Sequence, residues 1–183
     1  KRQDYILNHI YTNYKTDKKI FVIKRGIDTD YFSVKNVSDA EEQKLRNYLD
    51  VPHDKFLLLL PGRLTYWKGQ KLFIEAINLL KSQNKFNDCF ALIVGSDQGR
   101  KKYKNELIDL VSKYNLNNFV KIAHSINKIP VAYSISNLVI SSSIEPEAFG
   151  RVSVEAQSME KPILASNIAV SYTHLRAHET VMN

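Results

Sequence analysis

From Phe56 onward the chain alternates between short apolar runs and longer amphipathic ones. This alternation limits the folds open to it more than any other feature. Phe56 to Leu60 is an unbroken apolar run, and Phe90 to Val94 is another that ends at Gly95. Phe119 to Ala123, Leu138 to Ile140 and Pro162 to Ala165 repeat the type in shorter form. Runs this short and this apolar read as strands covered on both faces. Between them, Gln70 to Leu80 places Phe73, Ala76, Ile77 and Leu80 at helical intervals. Lys102 to Tyr114 does the same with Tyr103, Leu107, Leu110, Val111 and Tyr114. A weaker helix is predicted around Val131 to Ser136 and a better one from Arg151 to Met159. Strands alternating with helices predict an α/β chain whose doubly wound, mostly parallel sheet carries helices on both faces. In such sheets ligands sit beyond the carboxyl ends of the strands, so the chemistry is expected just after each strand.

The N-terminal part is less regular. Ile6, Leu7, Ile10, Tyr11 and Tyr14 fall at helical intervals, with no cap before them, so the chain reads as if cut from something longer. Ile20 to Ile23 reads as a short strand that ends in Arg25-Gly26-Ile27-Asp28. Ser38-Asp39-Ala40-Glu41 has the spacing of a capping box, which predicts a helix to about Leu49 that Val51-Pro52 stops. With 183 residues the chain suffices for one good core. The formal charge of +7 favours anionic partners without choosing among nucleotide phosphates, nucleic acid and an anionic membrane surface. The single cysteine, Cys89, rules out an internal disulfide and fits a reducing compartment. The longest apolar run is far too short to span a bilayer.

The loop after the first of these strands reads Pro61-Gly62-Arg63-Leu64-Thr65-Tyr66-Trp67-Lys68-Gly69. Gly62 lets the backbone turn where a side chain would crowd it. Arg63 and Lys68 set two cations beside a helix N-terminus, which itself favours anions. A guanidinium fork and a mobile ammonium together suit a diphosphate; a basic surface loop is the plainer alternative. The Walker spacing is absent, which argues against an ordinary NTPase. Gly95-Ser96-Asp97-Gln98-Gly99 follows a strand as well, but lacks the three-glycine dinucleotide fingerprint and reads equally well as a simple turn.

Glu147 and Glu155 flank Phe149-Gly150-Arg151 and carry the sharpest signal. A glycoside hydrolase needs its carboxylates about 5 to 9.5 Å apart. Eight residues of continuous helix would part them by about 12 Å. Pro146 and Gly150 instead put Glu147 in a loop and Glu155 inside a helix, where each could accept hydroxyls from a different part of one extended ligand. Two surface glutamates beside a helix start would give the same pattern.

The Gly62-Arg63-x4-Lys68-Gly69 loop, the Glu147-x7-Glu155 pair and Arg25-Gly26-Ile27-Asp28 with Phe32 stand in an order that resembles family 4 glycosyltransferases. These are retaining enzymes of the GT-B fold, built from two Rossmann-like halves. The resemblance covers roughly residues 5 to 168. It implies the C-terminal, donor-binding half, truncated at both ends: residues 1–19 a helix and linker left from an acceptor domain, 20–169 the nucleotide-sugar domain, and 170–183 a non-native tail. It implies a UDP- or GDP-sugar as donor and a glycan or lipid-linked acceptor reached through the other domain. The product would be a bacterial polysaccharide or lipopolysaccharide, made in the cytoplasm or at the cytoplasmic membrane face, with peripheral membrane contact left open. By the same resemblance Arg63 and Lys68 bind the diphosphate and stabilise the leaving nucleotide without a metal or other cofactor. Glu147, catalytic together with Arg63 and Lys68, meets the donor sugar near the reacting carbon, and Glu155 meets the ribose. Gly62 and the backbone of Phe149, Gly150 and Arg151 contact phosphate, and Ile122 and Ala123 meet the base. Ala123-His124 departs from the family's usual aromatic-x-glycine, and Glu160 stands where a small residue is typical.

Two rivals remain. One is a sugar-nucleotide epimerase of the same fold. The other is a basic nucleic-acid-binding module, which requires a contiguous basic face with stacking aromatics and for which no RNP-like or helix-turn-helix signature is present. His174-x3-His178 lacks the glutamate of a zinc-protease motif, and no metal role is expected. The isolated chain is expected to show little or no transferase activity.

Overall fold

The computed structural model describes residues 26–147 and 150–167. The expected N-terminal helix and strand, and the segment from 170, lie outside these. Helix α1 (Asp39–Leu49) opens on the capping box that the sequence predicts: Ser38 Oγ accepts from the Glu41 amide, and Glu41 Oε2 accepts from the Ser38 amide at 2.9 Å. Asp50 closes the helix in the left-handed region. The alternating part then runs β1 (Phe56–Pro61), α2 (Gln70–Ser82), β2 (Cys89–Val94), α3 (Lys101–Lys113), β3 (Val120–Ala123), α4 (Ile129–Ile135), β4 (Leu138–Ser141), α5 (Arg151–Ser158) and β5 (Ile163–Ala165). Each predicted strand and helix of this region is present, with ends shifted by a residue or two. The structure adds short 3-10 turns at Val34–Asn36 and Tyr66–Lys68.

The five strands form one sheet in the order β3-β2-β1-β4-β5, and every pairing is parallel. The apolar runs are continuous because both faces of the sheet are covered. Leu57 and Leu59 point into one core layer with Phe90, Leu92, Val139, Val152 and Ala156. Leu60 joins the opposite layer with Ala91, Ile93, Phe73, Ile77, Leu107 and Val111. Side chains alternate faces along a strand, so a run with no polar gap feeds both layers at once. Burying such a side chain contributes about 1.5–3 kcal/mol.

The strand order reverses direction at β1. β2 and β3 extend the sheet on one side of it, and β4 and β5 on the other. Registered pairing between β1 and β2 continues to Pro61↔Val94, whereas that between β1 and β4 ends at Leu59↔Val139. A crevice opens beyond these carboxyl ends, at the topological switch point where such sheets bind ligands. Among the described residues no helix is long and apolar enough to cross a membrane.

Candidate functional site

The loop between β1 and α2 is held in place by backbone contacts before any side chain is considered. The Gly62 amide donates to Val94 O at 2.9 Å and the Leu64 amide to Ser96 O at 3.0 Å, which lays the loop along the end of β2. Gln70, fully buried, donates to Arg63 O at 2.9 Å from the first turn of α2. Gly69 caps α2 at φ 70° and lies against the end of β4, so close that a Cβ there would sit 1.8 Å from Ser142 O. Ser142 Oγ donates to Lys68 O and Gly69 O. The Arg63–Lys68 loop is thereby fastened to β2 on one side and to β4 on the other.

The loop after β4 delivers the first carboxylate. Glu147 is 8% exposed, and its Oε1 accepts from Lys68 Nζ at 2.6 Å and from Ser143 Oγ. The lysine is similarly covered, at 12%, and its ammonium lies 4.7 Å from the centre of the Trp67 ring. Arg63 approaches the same ring at 5.8 Å. One indole therefore supports both cations of the loop, a contact that spacing along the chain does not reveal.

The second carboxylate sits on α5. Gly150 caps this helix at φ 54°, and no side chain caps it among the described residues. The Ser153 amide is taken by Gly150 O at 3.0 Å, which leaves the amides before it for an anion. Glu155 is 8% exposed. Its Oε1 lies 3.1 Å from Arg151 one turn earlier, and its Oε2 accepts from the buried Tyr133 hydroxyl at 2.8 Å. Burial, reinforced by the Glu155 charge, pushes the Tyr133 phenol well above its ordinary value, so it stays a donor.

These groups surround one cavity of about 960 Å³ at the carboxyl end of the sheet. Gly62, Arg63, Trp67, Lys68, Glu147, Gly150, Arg151 and Glu155 all line it. Gly95 and Ser96 contribute the end of β2, while Asp97 and Gly99 form a local turn through a 2.9 Å amide–carboxylate bond. Phe149 lies outside the described residues. Ile122 and Ala123 do not line the cavity. As neighbouring strand residues they point to opposite faces, Ala123 into one core layer and Ile122 against the other. Ser125, Ile126 and Ile129, beyond the strand end, form that wall instead. A cavity near the upper end of the range for small-molecule sites, lined by both cations and carboxylates, suits a ligand that carries both phosphate and hydroxyls.

Residues 41–180 match the family described as Glycosyl transferases group 1. The chain belongs to that family. It is 28% identical over 162 residues to the D-inositol 3-phosphate glycosyltransferase of Arthrobacter sp. strain FB24, covering 87% of this chain and 37% of that protein. It is 36% identical to a glycosyltransferase from Rickettsia africae, with a TM-score of 0.77 over 91% of this chain and 43% of the other. It is 30% identical to Anabaena HepE, whose structure holds UDP-glucose, with a TM-score of 0.72 over 84% of this chain and 40% of that one. The chain thus spans about two-fifths of the length of these group 1 relatives. Their sheet and helices are those of GT-B glycosyltransferases, the architecture that the resemblance implies.

Proposed function

We propose that this chain is the donor-binding half of a retaining glycosyltransferase that takes a UDP- or GDP-sugar and passes the sugar to a glycan or lipid-linked acceptor. The observation that carries this reading is the convergence of Arg63, Lys68, Glu147 and Glu155, drawn from three separate segments, on one cavity at the switch point of the sheet. The likeness to Anabaena HepE bound to UDP-glucose supports a nucleotide-sugar as the ligand.

In this reading Arg63, Lys68 and the first-turn amides of α5 at Gly150 and Arg151 hold the diphosphate. As the glycosidic bond breaks, charge develops on the leaving nucleotide, and these donors stabilise it without a metal. Glu155 accepts the ribose hydroxyls and Glu147 those of the sugar. Lys68 lies against Glu147 in the free chain, so donor binding exchanges part of that ion pair for ammonium–phosphate contacts. The acceptor approaches from the second domain, and the chain alone gives little or no transfer. Membrane contact, if the acceptor is lipid-linked, lies at the cytoplasmic face.

Calorimetric titration with UDP, GDP and uridine tests the reading. Diphosphate-dependent binding that falls at least tenfold in both Arg63→Ala and Glu155→Ala is expected. Equal binding by wild type and both variants removes its basis. Salt-sensitive binding to single-stranded nucleic acid in its place favours the nucleic-acid module.

A further inference from the structure

Glu155 is one of the cavity's two buried carboxylates, and its support reaches well away from the ligand. Tyr133 has no solvent exposure, lies on α4, and donates its hydroxyl to Glu155 Oε2 at 2.8 Å across the core. Arg151 takes the other oxygen at 3.1 Å. A carboxylate has about four lone-pair directions. With one direction on each oxygen occupied by protein, one on each remains to face a pair of neighbouring hydroxyls.

Tyr133 is itself held. The Phe32 ring meets it edge-on, with centroids 5.9 Å apart and planes at 86°. Ser158 of α5 donates to Phe32 O at 2.6 Å. Ser136 Oγ donates to Tyr133 O at 2.7 Å, and Arg46 of α1 donates to Ile135 O at 3.1 Å. Phe32, part of a sequence motif whose described residues do not line the cavity, thus stands directly behind the residue that aims Glu155.

We propose that Tyr133, backed by Phe32, is a positioning residue for ribose recognition: its hydroxyl fixes the rotation of the Glu155 carboxylate so that both oxygens present a lone pair to the vicinal 2′ and 3′ hydroxyls of the donor nucleotide. Tyr133 touches no ligand and acts through Glu155. A phenylalanine there fills the same space and leaves the carboxylate held by Arg151 alone, with less to fix its rotation about its last bond. The inference rests on the donor-binding reading above and adds to it a residue and a chemical discrimination.

The test compares the affinity of the full chain for UDP and for 2′,3′-dideoxy-UDP, in wild type and in Tyr133→Phe, with circular dichroism as the check on folding. Wild type is expected to favour UDP. Tyr133→Phe should lose about tenfold in affinity for UDP, the loss expected when one charge-assisted hydrogen bond no longer orders the site. Its affinity for the dideoxy analogue should be unchanged, so the ratio of the two affinities collapses. Phe32→Leu, which keeps the hydroxyl and removes its backing, should lower the ratio by a smaller factor, and it carries the test if Tyr133→Phe does not fold. An unchanged ratio in whichever variant folds overturns the proposal while leaving nucleotide binding intact. A wild-type chain that binds neither UDP nor GDP overturns the donor-binding reading and this inference with it.

Discussion

Gly69→Ala tests whether the close approach of the Lys68 loop to β4 holds the site together. Two costs follow from the structure. Gly69 sits at φ 70°, where an L-residue is disfavoured by about 1–2 kcal/mol. The added Cβ would also lie 1.8 Å from Ser142 O and 2.8 Å from its carbonyl carbon. Both are backbone atoms at the end of β4, so no flexible side chain can swing aside. Forcing extra volume into such a contact costs about 1–3 kcal/mol. The sum is about 2–5 kcal/mol, which lowers the melting temperature by roughly 5–15 °C for a domain of this size. Relief requires parting the loop from β4, which breaks the Ser142 bonds to Lys68 O and Gly69 O and displaces Lys68 from Glu147. Urea denaturation and UDP titration of the same preparation form the assay, and both stability and affinity should fall. A loss below about 1 kcal/mol with unchanged affinity would refute the claim that this contact positions the loop.

Other perturbations probe separate parts of the account. Glu160 lies exposed at φ 55°, so Glu160→Gly should relieve backbone strain and raise stability by about 0.5–1 kcal/mol in chemical denaturation. Glu41, held by Lys128 and the Ser38 cap, titrates at about 2 rather than 4.5. Its folded-state value is lowered, so its contribution is complete above pH 4.5 and is lost as the pH falls through 2. Glu41→Gln should therefore flatten the acid limb of a stability profile measured across that window. Removing Lys68 alone leaves Glu147 covered and uncompensated, and Lys68→Met should cost about 2 kcal/mol or more. In Lys68→Met/Glu147→Gln much of that loss should be recovered, and additive losses in the double-mutant cycle would show that the pair is uncoupled.

The elements were legible where local rules act alone. Phe56 to Leu60 reads as a doubly covered strand because nothing polar interrupts it, and Ser38 with Glu41 announces α1 through contacts three residues apart. The segments carrying Arg63, Lys68, Glu147 and Glu155 were legible as ligand-binding candidates because they follow strands. Their support was not. Tyr133 and Glu155 are 22 positions apart, Lys68 and Glu147 are 79, and only the strand order brings them together. Ile122 and Ala123 show the converse. The resemblance implied that they meet the base, but the pleat directs their side chains into the two core layers, and the wall passes to Ser125, Ile126 and Ile129. The left-handed backbone at Glu160 explains in physical terms why a small residue suits that position.

A crystal structure of the chain with UDP-glucose tests the central claim most directly. The account predicts the diphosphate within hydrogen-bonding reach of Arg63, Lys68 and the first amides of α5, with the ribose hydroxyls on Glu155. A nucleotide seated away from this cavity, or one whose ribose makes no contact with Glu155, would contradict it.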